Sequence, residues 1–142
     1  MNQYGITLVA MAALCVTTSS GAAQSESATK EVSMTATEYG FSPSTLAVRA
    51  GQRLKIQITN KGTMNHEFIS PLFKAAKDVE IKVEGAKVEA REIEEVEFPT
   101  GKTVTIELTP TKAGTFQFWC GEKAEGKLHR DLGMKGTIQV TR

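Results

Sequence analysis

The chain has 142 residues, with seventeen basic side chains against sixteen acidic ones and a net charge of +1. That length suits one domain able to bury a core without a metal or disulfide staple. A near-neutral balance, with no basic block and no aromatic residues interleaved with basic ones, excludes nucleic acid as a partner.

The first element is not part of the fold. Ile6 to Val16 is an apolar run of eleven residues, too short for a stable membrane span and right for the core of a secretory signal. Thr17 to Gln24 then turns small and polar, with small residues at the minus three and minus one positions of a cut after Ala23. Residues 1–23 therefore read as a signal peptide, which makes the protein periplasmic or otherwise exported. Cys15 follows the bulky Leu14, unlike a lipid-modification site. Residues 24–29 are small and polar and read as a flexible leader, so the folded domain is 30–142.

From Lys30 onward the apolar residues alternate. Val32 and Met34, Leu46 and Val48, Leu54, Ile56 and Ile58, Val104, Ile106 and Leu108, Phe116 and Phe118, and Ile138 and Val140 each mark one face of a half-buried strand. Turn signals separate them at Ala50-Gly51, Asn60-Lys61-Gly62, Pro99-Thr100-Gly101, Pro110 with Ala113-Gly114, and Gly133 and Gly136. Short strands at such intervals predict an all-β sandwich or barrel. The interval from Pro71 to Glu97 is less regular: Leu72 to Lys77 suggests a short helical turn and Val79 to Val83 another strand. The acidic cluster Glu92, Glu94, Glu95 and Glu97 reads as a solvated strand face.

One loop gathers the chemistry. Cys120 ends the run Phe116-Gln117-Phe118-Trp119-Cys120, His129 follows after eight residues, and Met134 after four more. His66, the one other histidine, lies far upstream in Met64-Asn65-His66-Glu67-Phe68. With the signal removed, Cys120 is the remaining cysteine and has no disulfide partner within the chain; a bound metal would protect it in an oxidising compartment. Two imidazoles, a thiolate and a thioether form the ligand set of a type 1 copper site, where a trigonal His-His-Cys group serves both oxidation states and a weak axial methionine tunes the potential. Zinc sites complete a tetrahedron with Cys, His or carboxylate, so the methionine argues for copper. A binuclear copper centre would need a second nearby cysteine. Period two puts Phe116, Phe118 and Cys120 on one face, so the aromatics entering the core carry the thiol to its rim.

On these residues the chain resembles the cupredoxins, the small blue copper proteins typified by plastocyanin and azurin. The stretch Tyr39-Gly40-Phe41-Ser42-Pro43-Ser44-Thr45-Leu46-Ala47-Val48-Arg49-Ala50-Gly51 is similar to the family's opening strands. Ala113 to Cys120 and Gly133 to Val140 are similar to its last two. The resemblance covers about residues 30 to 142 and implies a Greek-key sandwich with one copper at one end. It implies that His66 is the upstream imidazole, Cys120 the thiolate, His129 the imidazole with an edge near solvent, and Met134 the axial thioether. Two positions depart from the family pattern. Many relatives carry Asn just after the first histidine, where this chain has Glu67. The Cys120–His129 loop is longer than in plastocyanin or azurin and similar to the type 1 site of copper nitrite reductases.

The expected function is that of an exported, monomeric carrier of single electrons between transient redox protein partners, acting through His129. The loop from Gly121 to Lys135 sets Lys123, Lys127, Arg130 and Lys135 against Glu122, Glu125 and Asp131 around Leu128 and Leu132. Such a mixed rim suits weak docking. The alternative is copper handling, the storage or delivery of the ion to an exported acceptor; the few methionines outside the signal, Met34, Met64 and Met134, disfavour it. No enzyme is expected, because both histidines are used and a His-rich catalytic centre cannot be built from the remainder.

Overall fold

The computed structural model describes residues 28–83, 86–89 and 93–142. The signal segment 1–23, most of the leader 24–29 and Glu92 lie outside them.

Among the described residues thirteen strands follow in chain order. They are β1 (Lys30–Thr37), β2 (Gly40–Ser42), β3 (Thr45–Arg49), β4 (Leu54–Asn60), β5 (His66–Ile69), β6 (Ala76–Val83), β7 (Ala86–Glu89), β8 (Glu95–Phe98), β9 (Thr103–Pro110), β10 (Gly114–Trp119), β11 (Lys123–Ala124), β12 (Lys127–Leu128) and β13 (Lys135–Thr141). One sheet runs β2-β1-β4-β9-β6-β7 and the other β3-β13-β10-β5-β8. Together they make the all-β sandwich that the alternating pattern predicts. β1 pairs with β4 in parallel, β3 pairs with β13 in parallel, and the neighbouring pairs β4–β9 and β10–β13 are antiparallel. The consecutive strands β2 and β3 thus lie in opposite sheets.

Burial follows the alternation. In β4, Leu54, Ile56, Ile58 and Asn60 are buried and the residues between them are not; β9 repeats the pattern with Val104, Ile106 and Leu108. The two inner faces meet in one core. At its centre Phe68 stacks on Phe118 with centroids 5.0 Å apart, while Phe41 meets Phe118 edge to face at 5.3 Å. Such pairs contribute about 0.5–1.5 kcal/mol beyond the area they bury. On the outer face, Glu107 of β9 accepts from Arg53 and from Lys82, tying β9 to the neighbouring β6 and to the start of β4.

The interval that looked irregular in sequence is more ordered than its pattern suggests. A 3-10 turn over Pro71–Ala75 buries Leu72 and Phe73, and its first amide, that of Leu72, is capped by the hydroxyl of Ser70. β6 starts three residues before Val79, because an irregularity between Lys77 and Glu80, where Asp78 sits at φ 54, breaks the alternation. The acidic stretch includes β8, an edge strand that buries Val96 and Phe98 and turns Glu95 and Glu97 to solvent. That is the solvated face read from sequence, and charges on an edge also discourage sheet-to-sheet pairing between molecules.

Candidate metal centre

The second sheet and the loop that follows β10 bring three of the four predicted donors, His66, Cys120 and His129, together. His66 is the first residue of β5, opposite Phe98 of β8, and is completely buried. Cys120 follows β10 directly. Phe118 below it is also fully buried, so the strand's alternation delivers the thiol to the inner face as expected. β5 and β10 are adjacent, and the two side chains meet across that pair.

The loop from Cys120 to Met134 is closed by its own backbone. Cys120 N–H donates to Met134 O at 3.0 Å, Met134 N–H to His129 O at 2.9 Å, Arg130 N–H to Cys120 O at 3.2 Å and His129 N–H to Glu122 O at 2.8 Å. His129 opens a 3-10 turn, His129–Leu132, which ends at Gly133 in the left-handed region with φ 117. A side chain there would be strained and would press on Tyr39 O, 3.3 Å from its Cβ. The extra length of the loop is a two-stranded hairpin, β11–β12, turned by Glu125 and Gly126, both at positive φ. Its strands are two residues each, too short to show as alternation in the sequence.

Within this frame Cys120 Sγ lies 3.5 Å from His129 Nδ1 and 3.9 Å from His66 Nδ1. One donor atom from each of the three residues falls within 4.8 Å of the others. Met134 is buried with no exposed surface and is fixed by the backbone bonds at the end of the same loop. The thiol is free, and the Glu67 N–H points at its sulfur from 3.3 Å. The residue after the first histidine therefore reaches the sulfur through its backbone.

The electrostatics fit a cation. Both histidines are buried and their Nε2 atoms have no hydrogen-bond partner, an expensive arrangement for polar groups unless it has a purpose. Burial pushes the Cys120 thiol above its usual range, and the Glu67 and Glu122 carboxylates push the same way, against the backbone N–H groups of the same two residues. Burial, and then the neighbouring His129, hold His66 below the usual imidazole range. The pocket thus favours a neutral imidazole and resists a bare thiolate. A metal cation would draw off the thiol proton and use the neutral imidazole as it stands.

The His66 and Cys120 shifts each add a pH dependence to the metal-free domain. Below about pH 6.5 the unfolded chain takes a proton that folded His66 resists, so stability falls as the pH drops; above about 8.5 the unfolded thiol ionises while folded Cys120 does not, so stability falls as the pH rises. Glu107, held low by Lys82 and Arg53, adds a further loss only below about pH 4.3. Urea unfolding across pH 5 to 10 should give maximum stability between the first two limits.

One expectation needs correction. His129 does not present an edge to solvent; it is 1% exposed. The turn between β1 and β2 covers it, with Tyr39 at φ 62 setting its ring edge-on to the imidazole at 5.1 Å. Tyr39 and Leu132 are the exposed large hydrophobic residues, at 36% and 37%. Leu132 belongs to the 3-10 turn that His129 opens, on the rim where the sequence places it. Tyr39 reads in sequence only as part of the opening strands, since nothing local shows that a turn at the start of the domain reaches a loop near its end.

Two buried imidazoles and a buried free thiol, converging across adjacent strands of a β-sandwich, define a mononuclear soft-metal site. The chain belongs to the cupredoxin-like domain family, whose profile it matches over residues 6–140. It is 32% identical to plastocyanin A/B of Petroselinum crispum over 100 residues, covering 70% of this chain and 86% of that one. Among solved structures it is similar in fold to the dithionite-reduced auracyanin of the photosynthetic bacterium Roseiflexus castenholzii, with a TM-score of 0.58 and 19% identity over 81% of this chain and 99% of that one. It is also similar to the copper nitrite reductase of Nitrosomonas europaea, at TM-score 0.61 and 12% identity over 80% of this chain and 49% of the longer enzyme. Copper is the cofactor of the family, and the donors grouped here fit it.

Proposed function

We propose that His66, Cys120, His129 and Met134 hold one copper ion per chain, and that this exported, monomeric protein carries single electrons between transient redox partners. The observation that carries the reading is the convergence of two buried, otherwise unpartnered imidazoles on one buried free thiol. When bound, copper supplies a one-electron couple. The chain's part is to hold the four donors still and to keep water from them, so that little rearranges between oxidation states.

The histidines, the cysteine and the methionine are buried; Tyr39 packs edge-on against His129, and Leu132 is exposed in the turn that His129 opens. A partner would dock on that small apolar face within the mixed-charge rim of the ligand loop, a surface suited to brief encounters. Closed burial also weighs against copper handling, because an ion that must be given up needs ligands within reach of an acceptor. It weighs against an enzyme as well: among the described residues the three donors are the one group of this kind, and both histidines are in it.

Absorption of the mature domain during titration with Cu(II) tests the reading. An intense thiolate-to-copper band should grow to saturation at one copper per chain and vanish reversibly on one-electron reduction. Copper bound without that band, or Cu(I) held loosely and passed to a chelator, would replace the electron carrier with the handling protein.

A further inference from the structure

The turn of Glu38 and Tyr39 between β1 and β2 faces both histidines. Tyr39 covers His129. Glu38 approaches His66 from the side opposite the thiol. Its Oε1 accepts from Thr63 N–H and, at 3.0 Å, from the Thr63 hydroxyl, which ties this turn to the loop that leads into β5. The same oxygen and His66 Nε2 converge on the bare face of Gly62. A Cβ built on that glycine would lie 2.6 Å from the oxygen and 2.8 Å from the ring nitrogen. Asn60 holds Gly62 in place: its Oδ1 accepts from Gly62 N–H at 2.9 Å, and its Nδ2 donates to Met64 O and Phe98 O.

A histidine that binds a metal through Nδ1 carries its proton on Nε2, and that proton needs an acceptor. His66 turns Nδ1 toward the sulfur and Nε2 toward Gly62, and the Nε2 atom is buried without a hydrogen-bond partner among the described residues. The one side-chain oxygen found with it over the Gly62 face is that of Glu38.

We propose that Glu38 is the outer positioning residue of the metal centre: its carboxylate, directly or through a bridging water, takes the Nε2–H of His66 and favours the more highly charged metal state. This rests on His66 being a copper ligand through Nδ1. A carboxylate in that role makes the imidazole a stronger donor, and the gain is greater for Cu(II) than for Cu(I). Gly62 serves the same end, since any side chain there would separate the two groups.

The test compares the copper-loaded wild-type domain with Glu38→Gln and Thr63→Val. Glutamine keeps an oxygen for Thr63 N–H and loses the charge; valine removes the hydroxyl bond and keeps the charge. Glu38→Gln should lower Cu(II) affinity about tenfold and leave Cu(I) affinity unchanged. That difference corresponds to a reduction potential raised by about 59 mV for one electron. In the Cu(I) protein the His66 Nε2–H proton resonance should move toward the value of a weakly hydrogen-bonded imidazole. Thr63→Val should leave potential and resonance where they are. An unchanged potential in Glu38→Gln, or equal losses for both oxidation states, would mean that Glu38 only anchors the loop and would overturn the proposal. Failure of the wild-type protein to show the thiolate band would sink both this inference and the ligand assignment beneath it.

Discussion

Replacing Cys120 with serine removes the visible thiolate band entirely and weakens Cu(II) binding by more than about a hundredfold, beyond what loss of an outer partner usually costs. The argument starts from the sulfur's surroundings. Among the described residues Cys120 has no exposed surface, no disulfide partner, two imidazole nitrogens within 3.9 Å and the Glu67 N–H donating at 3.3 Å. A serine oxygen keeps the N–H contact and fits the space, so the metal-free fold should change by only about 1 kcal/mol. It is a hard, weakly acidic donor where the site requires a soft anionic one. Calorimetric titration and urea unfolding on the same sample separate the two effects. A buried cysteine acting only as core filler would move neither the spectrum nor the affinity.

Gly136→Ala is expected to destabilise the domain by about 3 kcal/mol or more and to disturb the copper band as well. Gly136 lies in β13 opposite Phe118, two residues after Met134. A Cβ there would drive into Ser44 O and the Phe118 ring, closer than any real Cβ contact. The ring is locked in the Phe68–Phe118–Phe41 cluster, and the carbonyl accepts from Thr137 N–H at 2.8 Å, so neither neighbour can yield cheaply. Overpacking against a rigid core costs about 1–3 kcal/mol, and a backbone collision raises it. The displaced strand would carry Met134 with it, and Phe118 leads directly to Cys120. Denaturant unfolding should show the lost stability, and a shifted or broadened band the moved ligands. A variant as stable as the wild type, with an unchanged spectrum, would refute this account of why β13 carries a glycine here.

The sandwich was legible because burial on one face of each strand writes itself as alternation, and β4, β9 and β13 carry that signal without interruption. The donor set was legible through residue type and spacing, for a cysteine after an apolar strand, then His129 and Met134, leaves few other uses. What the sequence did not disclose depends on distance along the chain. Tyr39 reads only as part of the opening strands and Glu38 carries no signal of its own; the packing of β1 against β4 and β2 reveals that they bracket two histidines. The burial of His129 followed from the same contact. Of β8 the sequence showed the solvated glutamate face but not the bounds, because four residues with two inward positions are too few to mark where a strand starts and ends.

The four backbone bonds that fasten Cys120, Glu122, His129, Arg130 and Met134 to one another make a closed clasp, with the β11–β12 hairpin hanging from it as a side branch. The spacing of donors in space is thereby uncoupled from their spacing in sequence. A chain built this way can lengthen, shorten or exchange residues 123–128 without redrawing the clasp. The surface beside the docking face can therefore be refashioned for a new redox partner while the metal's immediate surroundings stay the same.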